Sequence, residues 1–557
     1  MKFKDMPYKR VQFEDVETKM NELMEEFKAA KSGEEQFEVH KKYYALTSEI
    51  DTLMTIAHIR YDIDTQDEFY SAENDYYDEI GPKIDSLNVN YMMLLYNSPY
   101  RDYLEGVIGK VAFKNMELRI KSFDEKLIPL MQEENALTTE YTKLIASAKI
   151  DWEGETLNLS LLGKYLNNSD REVRKKAHAK RSAWMAENGE ALDRIYDSLV
   201  KNRDKQAKEL GFKDYVELGY YRIGRNCYDR EMVKNFRDQV KKYWVPFAEK
   251  LHDMRRERLG LDKLSAIDES VYFKNGNPEP TGTPEEIMKD GQQMYSELSP
   301  ETKEFFDFMT ENELFDVLGR KTKRAGGYMT YLPKYNSPFI FANFNGTSGD
   351  IDVITHECGH AFQGYISGKD PIREHAEITM ETAEIHSMSM EFFTEPWMKL
   401  FFGDRTKDYV EMHIEDAVAF IPYGCTVDEF QHVVYENPEM TPAERKAAWV
   451  ELEKEYKPHL DYGDDSFMAN GGFWQKQSHI YQVPFYYIDY CLAQTCAFQY
   501  KVWMDEDYKA AWASYLKLCE LSASDFFVNM LPAVGLKTPF ESGCVADIVE
   551  KLSKKMF

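Results

Sequence analysis

From about residue 12 to 255 the apolar positions recur at helical spacing, and the chain reads as a succession of amphipathic helices. The stretch Asp170 to Gly189 (DREVRKKAHAKRSAWMAENG) is representative, with Asp170 placed to cap its start and Gly189 to end it. Residues 109–159 carry the polar and aromatic mixture of helices that pack on both sides. Residues 258–285 collect Gly, Pro, Asn and Asp, which predicts an irregular connection before helices resume near Pro284. Between Gly326 and Asn345 the pattern changes: two short runs rich in Tyr, Phe and Ile, interrupted by Pro333, Asn336 and Pro338, predict a small β element and the one sheet of consequence. No fixed-period repeat is present. The fold class expected is mainly α with this small sheet, divided near residue 190 into parts 1–190 and 191–557.

Composition agrees with a packed interior. Hydrophobic residues make up 43% and aromatics 14% of 557 residues, enough for a large core in spite of the charge. The 97 acidic against 69 basic residues give a net charge of −28, a field that repels phosphate backbones, and no basic cluster with interleaved aromatics offsets it. Nucleic acid is therefore excluded as a partner. There is no apolar run of about 18 residues and no secretory signal at the start, so neither membrane insertion nor export is expected. The seven cysteines are an odd number and include no CxxC pair, which fits reduced thiols in a cytoplasmic protein.

After the β element, Thr347-Ser348-Gly349-Asp350 offers helix-start chemistry, and the predicted helix runs to Gly368 with Pro371 as a stop. Inside it lies His356-Glu357-Cys358-Gly359-His360. Histidines four apart project about 40° from one another around a helix, one turn above each other, so both imidazoles reach one ion. Glu357 leans to the flank, where it can take a proton from an attacking water without being a ligand. Two imidazoles and a carboxylate suit one zinc ion, although the spacing alone also admits cobalt or manganese. Candidates for the third ligand are Glu377, Glu381 and Glu384, on a second helix expected over about Ile378 to Met398. Glu384 and Glu391 are two turns apart on one face, so if Glu384 binds metal, Glu391 can orient a ligating histidine from behind; Asp352 is another candidate for that task.

The run Asp352 to Phe362 (DVITHECGHAF), with Ala383-Glu384-Ile385 and Glu391, resembles the M3 peptidases, the thimet oligopeptidase and oligoendopeptidase F group, and is closer to the latter. The resemblance extends in order through Asp170 to Lys175, Gly326-Gly327-Tyr328, Pro338 to Gly346 and the aromatic C-terminal segment. It implies His356, His360 and Glu384 as zinc ligands, because Glu384 through Glu391 reproduces the family's E-x-x-S/T-x-x-x-E. It also implies a helical body around a deep channel; on the division near 190, residues 1–190 are expected to form a lid-like helical part and 191–557 the zinc-binding catalytic part. Where family members often carry a histidine three residues after the clamp, this chain has Gln363, which is not counted as a ligand.

Peptide hydrolysis also needs donors for the developing oxyanion. Gly471 to Tyr490 offers His479, Tyr486 and Tyr490, with Pro484 placed to open a helix on which Tyr486 and Tyr490 share a face and Tyr487 points elsewhere. An aromatic stripe alone reads as core; the resemblance implies that this histidine and tyrosine cluster positions substrate. The strand Phe339 to Phe344, read as an edge strand, could take a substrate backbone, with Phe344, Asn345 and Gly346 as contacts. The function expected is a zinc endopeptidase acting on short peptides with Glu357 as base. Its rivals are a helical zinc carboxypeptidase and a catalytically silent zinc-containing peptide-binding protein.

Overall fold

The computed structural model describes residues 1–320, 322–324 and 326–556. The chain is mainly α, as expected, and its residues group into two compact units. The first comprises 1–120, 278–406 and 503–536, and the second 121–277, 407–502 and 537–557. Residue 190, the boundary expected from sequence, falls inside the second unit, and the helix that carries the His356 motif groups with the N-terminal 120 residues. No helix among the described residues is long and apolar enough to cross a membrane.

In the first unit, helices Phe13–Ala29, Gly33–Ile63 and Glu68–Tyr96 pack around Met20, Phe27, Leu53, Tyr91 and Leu104, all buried. Beside them lies a sheet of β3 (Phe315–Leu318), β4 (Tyr328–Leu332) and β5 (Ser337–Phe344) in the order β3-β5-β4. β4 and β5 are the predicted hairpin, antiparallel with Met329 opposite Ile340, and Asn336 turns between them at φ 44°. β3 was not expected; it pairs parallel to β5 after a helix that ends at Glu311. Because β5 is bonded on both sides, it is not the edge strand read from sequence; among the described residues the outer strands are β3 and β4, each paired on one side only. The helix Gly33–Ile63 fixes this hairpin, with Tyr328 Oη donating to Asp62 at 2.8 Å and the Lys334 amide to Thr52 at 3.0 Å.

In the second unit, Asp170 caps helix Arg171–Glu187 as predicted, but the helix stops at Asn188 and Gly189 begins the next. Within 109–159, read as helical throughout, β1 (Ile150–Trp152) and β2 (Glu155–Leu157) form a hairpin. Its turn residues Glu153 and Gly154 both have positive φ, the tight-turn geometry that a Glu-Gly pair signals only weakly. The irregular connection after Gly260 and the new helix at Pro284, with a Thr283 and Glu286 capping box, are as predicted.

Candidate metal centre

The clamp helix spans Gly349–Ser367 and the helix that follows spans Met380–Phe393, shorter than expected. Gly359 is what allows them to approach: a Cβ there would lie 2.6 Å from both the His386 carbonyl oxygen and the Ser387 Cα. That approach carries Glu384 to the two histidines. Its Oε2 lies 3.4 Å from His356 Nε2 and 3.6 Å from His360 Nε2. Tetrahedral bonds of about 2.1 Å give ligand separations of roughly 3.4 Å, so the donor set fits zinc. Of the other candidates, Glu377 lies ahead of the helix and Glu381 is bonded to Thr379.

The surroundings orient these donors. Glu391 Oε1 sits 2.6 Å from His356 Nδ1, leaving Nε2 for the shared position. Ser387 Oγ is 3.0 Å from Glu384 Oε2, a role unassigned by sequence reading. Gln363 is buried and donates to Ser522 at 3.0 Å. Burial disfavours a charged His356, yet hydrogen bonds to Glu384 and Glu391 hold its pKa well above the usual histidine range. Burial, with His356 nearby, lowers His360 to about 4 against the pull of Glu384, so its ring is neutral.

Glu357 projects beside the clamp. Burial pushes its carboxyl up to about 7; the neighbouring His356 and a hydrogen bond from the Met329 backbone lower it, while Glu384 and Glu391 raise it. Met329 belongs to β4, so that strand lies beside the base, which the strand pattern gave no means of seeing. The residues read as substrate contacts are otherwise engaged: Phe344 pairs with Leu318, and the amides of Asn345 and Gly346 donate to Asp350 at 2.9 and 2.8 Å.

His479, Tyr486 and Tyr490 belong to the second unit and are assembled there with one another. The His479 ring centroid is 5.8 Å from Tyr486 and 6.2 Å from Tyr490, and Gln477 Nε2 is 2.8 Å from His479 Nδ1. Two expectations are corrected here. The helix begins at Tyr487 because Phe485 takes a left-handed φ of 69°, so Pro484 does not open it. Tyr487 does not point elsewhere, its ring lying 5.0 Å from that of His479.

Another group with ligand-type atoms, Glu249, His252 and His459, lies in the second unit. His459 already bonds Glu249 through Nδ1 at 2.6 Å and Glu269 through Nε2 at 3.2 Å. Lys457 pairs with Glu269, and Arg255 donates to His252. Its carboxylates are neutralised by cations, so it reads as an ion-pair network.

The model of peptidase family M3 matches residues 164–547, and that of the peptidase M3 N-terminal domain matches 3–123. The chain is 21% identical to oligopeptidase PepF of Bacillus subtilis over 93% of its own length and 80% of that protein's. It is likewise 21% identical to an oligoendopeptidase F homolog of Borreliella burgdorferi over 92% and 89%. A solved structure of PZ peptidase A with an inhibitor superposes with a TM-score of 0.94 at 48% identity, covering 100% of this chain and 99% of that one.

Proposed function

The chain belongs to peptidase family M3 and is a metallopeptidase, and on that premise we propose that it is a zinc-dependent endopeptidase that cleaves internal bonds of short oligopeptides. The observation that carries this reading is the convergence of His356 Nε2, His360 Nε2 and Glu384 Oε2, with Glu357 beside them on the same helix. One zinc ion on this donor set supplies Lewis-acid polarisation of a carbonyl and of a water. The residues do the rest. Glu357 accepts the proton of the attacking water and returns it to the leaving amine, a task its place beside the two histidines on the same helix suits. Glu391 keeps His356 in the orientation that presents Nε2.

An extended substrate pairs with the outer edge of β4, where the Met329 amide meets Glu357, rather than with Phe344, Asn345 and Gly346. His479 with Tyr486 or Tyr490 supplies the donors to the substrate carbonyl. The test is a quenched peptide blocked at both ends. The zinc-loaded protein is expected to cut it internally, and Glu357→Gln to abolish cutting while one zinc per chain is retained. Release of single C-terminal residues alone would point to a carboxypeptidase instead, and undiminished turnover by Glu357→Gln would remove the base.

A further inference from the structure

A cavity of about 460 Å³ opens beside His360 in the first unit. Its walls are largely apolar: Met329 and Tyr331 of β4, Pro333, Gly364, Ile378 and Ala383. Charged side chains also line it, and all but one are committed. Arg373 is held by Asp51, Thr47 and Ser48. Asp370 accepts from the Ile372 amide and contacts His375. His360 belongs to the metal centre. The exception is Glu377, which is exposed to the cavity and whose carboxylate makes no hydrogen bond or ion pair to the described residues.

Its neighbour Glu374, by contrast, is held by His40 at 2.9 Å and by Tyr44. A carboxylate that is reachable and has no hydrogen-bonded or ion-paired partner is available to an incoming cation, with Glu374 close by adding to the negative charge and Arg373 already held by Asp51. The apolar walls suit the methylene stem that carries such a cation.

We propose that this cavity is a substrate subsite next to the metal centre that takes a cationic group of the peptide, with Glu377 as its counter-charge. The group is a Lys or Arg side chain, or the free N-terminal ammonium of a short peptide. The proposal rests on the peptidase reading and gives it a substrate class.

The test uses quenched peptides of one length carrying Lys or norleucine at each position in turn, with free or acetylated N-termini. In the zinc-loaded wild type, Lys at one position is expected to exceed norleucine in kcat/KM by on the order of tenfold, the size of one charge-assisted contact. In Glu377→Gln the ratio falls to near one, and in Glu377→Lys a Glu peptide overtakes the Lys peptide. If acetylation rather than the Lys position controls the rate, the N-terminal ammonium is the occupant. A Lys to norleucine ratio and an acetylation effect that Glu377→Gln leaves unchanged overturn the subsite, while cleavage of the norleucine peptides keeps the peptidase reading intact. Should no peptide be cut, fluorescence anisotropy of the same peptides on Glu357→Gln and on Glu357→Gln with Glu377→Gln decides by the same ratios. Melting temperatures confirm that each variant is folded.

Discussion

Glu391 Oε1 lies 2.6 Å from His356 Nδ1, two helical turns beyond the carboxylate that faces His356 Nε2 on the ring's other side. A ligating imidazole with its second nitrogen fixed in this way cannot rotate off the metal. Glu391→Ala is expected to weaken zinc binding about 10- to 100-fold and leave the melting temperature of the metal-free protein less affected than that of the zinc form. Chelator competition measures the first, and thermal unfolding with and without zinc the second; unchanged affinity removes the orienting role.

The same two carboxylates hold His356 in its charged form before metal arrives. Zinc takes only the neutral ring, so binding must release a proton. Calorimetry of zinc binding at pH 7 in two buffers of different ionisation enthalpy should return a release that Glu391→Gln reduces.

Gly359 is expected to tolerate no side chain. A methyl group there meets backbone atoms at 2.6 Å, so Gly359→Ala must push the two ligand helices apart. The expected result is a destabilisation of about 1–3 kcal/mol in denaturant unfolding, together with a loss of zinc affinity that a surface substitution of equal destabilisation would not produce.

Glu357 makes the metal-free protein sensitive to pH. Its carboxyl, ordinarily near 4.5, stands at about 7 in the fold, mainly through burial. Between those values the unfolded chain has released a proton that the folded chain still holds. Stability from this group therefore falls as pH rises from about 4.5 and levels off above 7. After chelation, the gain in melting temperature of Glu357→Gln over wild type should be near zero at pH 4.5 and grow toward pH 7. A difference independent of pH would contradict the raised value.

The tyrosines near His479 can be separated by kinetics. Substituting each of Tyr486, Tyr487 and Tyr490 by Phe keeps the ring and removes one hydroxyl. The variant that loses 10²- to 10³-fold in kcat with KM nearly unchanged identifies the oxyanion donor. Tyr487 is included because its ring is nearer to that of His479 than either of the other two.

By itself the sequence determined the helical class, the β4–β5 hairpin and the chemistry of the clamp, because these rest on interactions between residues close along the chain. Helical spacing puts His356 and His360 on one face whatever surrounds them. Tertiary structure decided everything that depends on distant segments meeting. Local spacing left Glu384 one of three candidates until the family motif singled it out, and only the contact across Gly359 shows how it comes to lie beside the two histidines. Whether β5 was an edge depended on β3, which follows a separate helix, and the pattern of β5 alone reads the same with one partner or two. The left-handed Phe485 and the turn at Glu153 are single-residue choices against intrinsic preference, legible only once their surroundings are known. The uncommitted carboxylate of Glu377 was invisible for the same reason, since a partner's absence is a property of the assembled fold and not of any spacing along the chain.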